Sequence, residues 1–81
     1  MTEQELTNLL TKDIVQVAVP GDIYLVTLHP ALCFLEGKPQ TFIGHVAAWS
    51  TNMGQWISID PKTVVAAKPQ NVDFTKSETL T

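Results

Sequence analysis

The chain has 81 residues and a formal net charge of −3, from five lysines and eight acids, with no arginine. A single domain of this size buries only about 60% of the surface its unfolded chain exposes, yet a composition 44% hydrophobic and 16% charged excludes a disordered chain. The acidic balance, the scattered lysines and the missing guanidinium fork argue against nucleic acid as a partner and against phosphoryl transfer.

Thr2-Glu3-Gln4-Glu5 opens the chain as a capping box. Thr2 accepts from the amide of Glu5, and the Glu5 side chain reaches back to Thr2. Leu6, Leu9 and Leu10 follow at helical spacing on one face, which predicts a short helix within residues 1–13 that ends near Lys12. A helix of two to three turns is marginal alone, so its leucine face must dock. The same stretch, MTEQELTNLL, has acids where a signal peptide has lysine or arginine, and no apolar run approaches the ~20 residues that span a bilayer. The single cysteine, Cys33, permits no internal disulfide, whereas small secreted domains are usually stapled by several. A soluble cytoplasmic protein with no membrane partner is expected.

From residue 14 the pattern changes to β-branched runs. IVQVAV (residues 14–19) and IYLVTL (residues 23–28) are separated by Pro20-Gly21-Asp22, where proline and glycine suit successive turn positions. Pro30 ends the second run. ALCFLE (residues 31–36) fits a strand or a helical turn. Gly37-Lys38-Pro39-Gln40 is a turn, and TFIGHVAAW (residues 41–49) is the longest strand candidate. Residues 50–54 form a loop, QWISI (residues 55–59) answers as a strand, and TVVAA (residues 63–67) follows the turn Asp60-Pro61-Lys62. Lys68-Pro69 closes the domain. Residues 70–81 are polar apart from Val72, Phe74 and Leu80 and read as a flexible tail.

The expected fold is mostly β, α+β by count: a helix, then a small antiparallel barrel of five or six strands over residues 14–69. The Gly21-Asp22 pair that opens a strand, the central hairpin from Gly44 to Ile59 and the turn Asp60-Pro61 resemble the order of SH3-like barrels over residues 14–68. That resemblance implies a fold and no particular activity, because such barrels host peptide binding, nucleic-acid binding, subunit assembly and even a reductase. The aromatic and acidic groove of proline-peptide readers is not recognisable here.

Along residues 41–49, Thr41, Ile43, His45, Ala47 and Trp49 share one face, and Phe42, Gly44, Val46 and Ala48 share the other. Both faces are largely apolar, which is unlike a sheet with one wet side. The excess implies a second covered surface, met by a protein partner or by another copy of the chain. Trp49 and Trp56 are the leading contact candidates, with Met53 at the loop tip and Tyr24 on a neighbouring strand, because large rigid aromatics and adaptable methionine dominate contact surfaces.

No nucleophile, phosphate or dinucleotide motif is present, so the chain reads as a non-enzyme that uses no cofactor. His29, Cys33 and His45 lack the paired spacing of a structural zinc site, so no metal is expected. Cys33 reads as a small buried hydrophobe, and His45 as a histidine packed on the sheet. Three functions follow from this reading. The first is an accessory, regulatory or inhibitory interaction module that acts through its apolar hairpin. The alternatives are a symmetric homo-oligomer whose His45 and Trp49 line an inter-subunit ligand site, and a structural assembly subunit.

Overall fold

The structure is a computed structural model and describes residues 1–71. Helix α1 (Glu3–Lys12) begins with the capping box read from the sequence. The Glu5 amide donates to Thr2 Oγ1 at 3.1 Å, and the Thr2 amide donates to Glu5 Oε1 at 3.2 Å. Five antiparallel strands follow: β1 (Val15–Val19), β2 (Asp22–Thr27), β3 (Val46–Ser50), β4 (Gln55–Ile59) and β5 (Ala66–Pro69). They form one sheet in the order β4-β3-β2-β1-β5. The fold is therefore mostly β with one short helix. The sheet is open: β4 and β5 stand at opposite edges and do not pair, so the closure of the expected barrel is not seen among the described residues.

The hairpin of β1 and β2 turns through Pro20-Gly21 with Val19 opposite Asp22. Gly21 has φ +83°, a value L side chains rarely adopt. The hairpin of β3 and β4 turns through residues 51–54. Its tip is tied by the Gly54 amide donating to the Ser50 carbonyl at 2.9 Å, and the Met53 amide donates to Ser50 Oγ at 3.3 Å.

The core forms where α1 lies on one face of the sheet. Leu6 and Leu10, one helical turn apart, are fully buried with Val15, Val17, Val26, Leu28, Val46, Ala48 and Ile59. Burying a leucine contributes about 1.5–3 kcal/mol, which supplies the docking that so short a helix requires. The helix end is latched as well. The Leu28 amide donates to the Leu10 carbonyl at 2.8 Å, and the Thr27 hydroxyl is shared between the carbonyls of Leu10 and Asp13 at 3.2 and 3.0 Å. These contacts satisfy carbonyls that a helix C-terminus leaves orphaned. The buried Asp13 carboxylate then accepts from the amides of Ile14 and Asn71 at 2.7 and 2.6 Å, joining the start of the sheet to its far end.

Of three sequence expectations, two need correction and one is resolved. The strand expected over residues 41–49 begins only at Val46. The His45 amide donates to the Phe42 carbonyl at 3.0 Å, with Gly44 at φ +84°. That is a β-turn whose third residue needs positive φ, and it consumes the first half of the run. Residues 31–36, read as a strand or a helical turn, form no strand, and their last two residues belong to a helical turn. Those before them are turn backbone that leads into this 3-10 helix at Leu35–Gly37. The last strand lies later than expected, at Ala66–Pro69, because Pro61–Thr63 forms a 3-10 helix capped by Asp60 Oδ1, which accepts from the Lys62 amide at 3.0 Å. Lys68 and Pro69 are thus part of the sheet, and of the expected tail only residues 70 and 71 fall among the described residues. No described helix is long and apolar enough to cross a membrane.

Candidate functional site

Register places Trp49 directly opposite Trp56 on β3 and β4. The rings meet edge to face at a centroid distance of 5.5 Å and an interplanar angle of 75°, the arrangement favoured by the ring quadrupoles. Both are half-buried. By strand alternation they project from the face opposite Ala48 and Ile59, and Trp56 also touches the margin of the core. Met53 is 53% exposed at the hairpin tip. These three expected contact residues sit on one hairpin. Tyr24 does not join them. It pairs with Val17 in β2 and, two residues from Val26, belongs to the helix-covered face. The Asp22 charge, burial and a hydrogen bond to Asp22 together raise its phenol above the ordinary range.

His45 lies just before β3. Its Nδ1 is 3.2 Å from Ser58 Oγ, and its ring meets Phe42 edge to face at 5.7 Å. Asp60 Oδ2 stands 3.9 Å from Nε2. A serine, a histidine and an acid in a row invite comparison with a nucleophile and its base. The acid is beyond hydrogen-bond reach of the ring, while its other oxygen caps the Lys62 amide, so Asp60 does not orient the imidazole as the acid of a triad does. What these contacts do is tie the end of the long connection to β4. Within the single chain, a cavity at this hairpin is lined by Trp56 and by neither His45 nor Trp49; the inter-subunit site expected of that pair would lie between copies of the chain.

Cys33 is buried, with its thiol donating to the His29 carbonyl at 3.5 Å. Burial pushes its pKa up, partly offset by the Lys38 charge. A thiol held protonated is a poor nucleophile. Among the described residues no three His, Cys, Asp or Glu side chains gather as a metal site.

The largest apolar exposure was assigned by sequence reasoning to the strands. It lies instead on the connection between β2 and β3. Phe34 is 89% exposed, Phe42 79% and Ile43 fully exposed, with Leu32 and Leu35 also on the surface. The signals that could have located it are Pro30, Gly37, Pro39 and Gly44, which punctuate residues 28–45 too often for a strand.

Beside this connection is a cavity of about 350 Å³ lined by Pro39, Gln40, Thr41, Phe42, Trp56, Ile57 and Ser58. Trp56 and Ser58 project to one face of the sheet and Ile57 to the other. Ile57 lines it although its side chain points to the other face, so the cavity reaches the backbone of β4, an outer strand of the sheet, and residues 39–42 wall it opposite. Compared with known proteins, the chain matches no family model, no curated protein and no solved structure.

Proposed function

We propose that this protein is a small, non-catalytic interaction module of the cytoplasm, an accessory or regulatory protein that acts by docking on another protein. The observation that carries the reading is the set of exposed apolar side chains at Phe34, Leu35, Phe42 and Ile43, all on one connection that adjoins the hairpin at Trp56. Single exposed hydrophobics need no explanation, but several on one segment of so small a surface mark a contact site. Trp56 and Met53 extend that surface, with Trp49 behind Trp56 as support. An SH3-like barrel is the architecture proposed for the domain. A meander whose fifth strand returns beside the first supports it, and the open sheet leaves the groove at β4 as the gap in that barrel.

The test uses the immobilised protein and its Phe34→Glu/Ile43→Glu variant against extract from the native host. Both side chains are exposed, so circular dichroism should show an unchanged fold. The wild type is expected to retain partners that the variant loses. Identical retained sets, together with a monomer in sedimentation at high concentration, would sink the reading. Self-association abolished by the same double substitution would favour the homo-oligomer alternative.

A further inference from the structure

We propose that the outer edge of β4 is a strand-addition site, which takes an extended, uncharged, apolar peptide segment into the groove between β4 and residues 39–42. The inference rests on the interaction-module reading and names its mode.

Four observations converge. First, among the described residues β4 pairs only with β3. No backbone bond reaches its outer side from any of them, so within the described residues alternate N–H and C=O groups there are left unpaired. Such a row is a template for another strand.

Second, the two edges of the sheet are built differently. β5 is four residues long and carries Lys68 and Pro69, the charge and the missing donor by which proteins blunt an edge. β4, QWISI, has no charge and no proline. One edge is defended and the other is left available.

Third, the groove's chemistry selects its occupant. None of its seven lining residues is charged, and Trp56, Ile57, Phe42 and Pro39 supply apolar walls. The Trp56 indole N–H lies 3.9 Å from where a side chain would begin on Gly37. No hydrogen bond from it is found among the described residues. In this mode the backbone bonds give affinity and alternate side chains give specificity.

Fourth, the space is that of a short chain segment and not of a folded surface. At about 350 Å³ the groove holds roughly a dozen waters. A second copy approaching through its own β4 brings its own residues 39–42 to the same gap, where the two segments compete for one volume. A peptide has no such wall to bring.

The experiment selects a phage-displayed random peptide library on the full chain, then follows a synthetic copy of the most enriched peptide by amide NMR. The expected peptide is uncharged with bulky apolar residues at alternate positions. It shifts the amide signals of residues 56–58 and 39–42. N-methylating its alternate amides along one edge weakens binding about tenfold or more, as losing edge hydrogen bonds should. Phe42→Ala, at an exposed position that leaves the fold intact, weakens it severalfold, and Trp56→Phe, which keeps an aromatic side chain but gives up the indole N–H and part of the apolar wall, weakens it less. An enriched peptide that shifts only Phe34, Leu35 and Ile43 overturns the edge site while leaving the docking reading in place. Insensitivity to N-methylation, or no enriched peptide, also overturns it. Protection of β4 amides in a concentration-dependent dimer without peptide assigns the edge to a second copy and overturns it too. The host-extract experiment with Phe34→Glu/Ile43→Glu fails or succeeds independently of these outcomes.

Discussion

Helix α1 and the connection of residues 28–45 both lie outside the sheet, and they treat apolar side chains in opposite ways. The helix hides its leucines: Leu6 and Leu10 are fully buried and Leu9 is half-buried. The connection hides Leu28 and Cys33 at its start and then exposes Leu32, Phe34, Leu35, Phe42 and Ile43. The difference lies in the backbone more than in hydrophobicity. A helix satisfies its own amides and can lie flat on a sheet, whereas a segment interrupted by Pro30, Gly37, Pro39 and Gly44 must keep its polar backbone near water. Apolar content alone therefore does not say what a segment packs against. On the connection the residues left outside are available for contact.

This contrast can be tested by substitution. Leu10→Ala removes a fully buried side chain from between α1 and the sheet, and should cost about 2–5 kcal/mol, read from urea unfolding. A loss below about 1 kcal/mol would show that the helix is not docked as described. Thr27→Val keeps the shape but removes the hydroxyl shared by the Leu10 and Asp13 carbonyls, which also accepts from the His29 amide. About 1–3 kcal/mol should be lost in the same measurement, with faster amide exchange at the helix end. Phe34→Ser and Ile43→Ser, on the exposed connection, should change stability by no more than about 0.5 kcal/mol. A large loss there would mean that the connection is structural after all.

The smallest effect belongs to the helix start. The hydrogen bonds from Thr2 lower the Glu5 carboxyl below its ordinary pKa. A folded-state pKa below the unfolded one gives stability that is present above the unfolded value and lost as pH falls through the folded one. Wild type should therefore lose slightly more stability between pH 6 and pH 3 than Glu5→Gln does. Equal losses would remove the carboxylate from the cap.

Much of the framework was legible in the sequence because local chemistry and tertiary packing agree there. Thr2 and Glu5 make the cap their spacing implies, Pro20-Gly21 makes the turn, and Trp49 meets Trp56 across the hairpin that was read around them. The miss came at TFIGHVAAW. Its apolar run has the content of a strand, but Gly44 supplies the one backbone freedom that turns the chain at Phe42–His45, and half the expected strand becomes surface. The candidate site was legible in part. Trp56 and Met53 could be named from residue type, whereas the β4 groove depends on which strand ends the sheet. Strand order is a long-range property that no local pattern encodes; Tyr24 does stand on the strand next to β3, but on the helix-covered face.

The pairing of β5 with β1 has a consequence for how the chain is made. Residues 66–69 cover residues 15–18, so β1 leaves the ribosome some fifty residues before its second neighbour exists, and at ~5–20 residues per second this leaves it waiting for seconds. In that interval VQVAV is itself an edge. It is β-branched, uncharged and free of proline, the composition of segments that stack with their own kind. Nascent chains on one message are therefore most prone to associate just before Ala66 appears, and a fragment stopped short of that residue should precipitate where the full chain stays in solution.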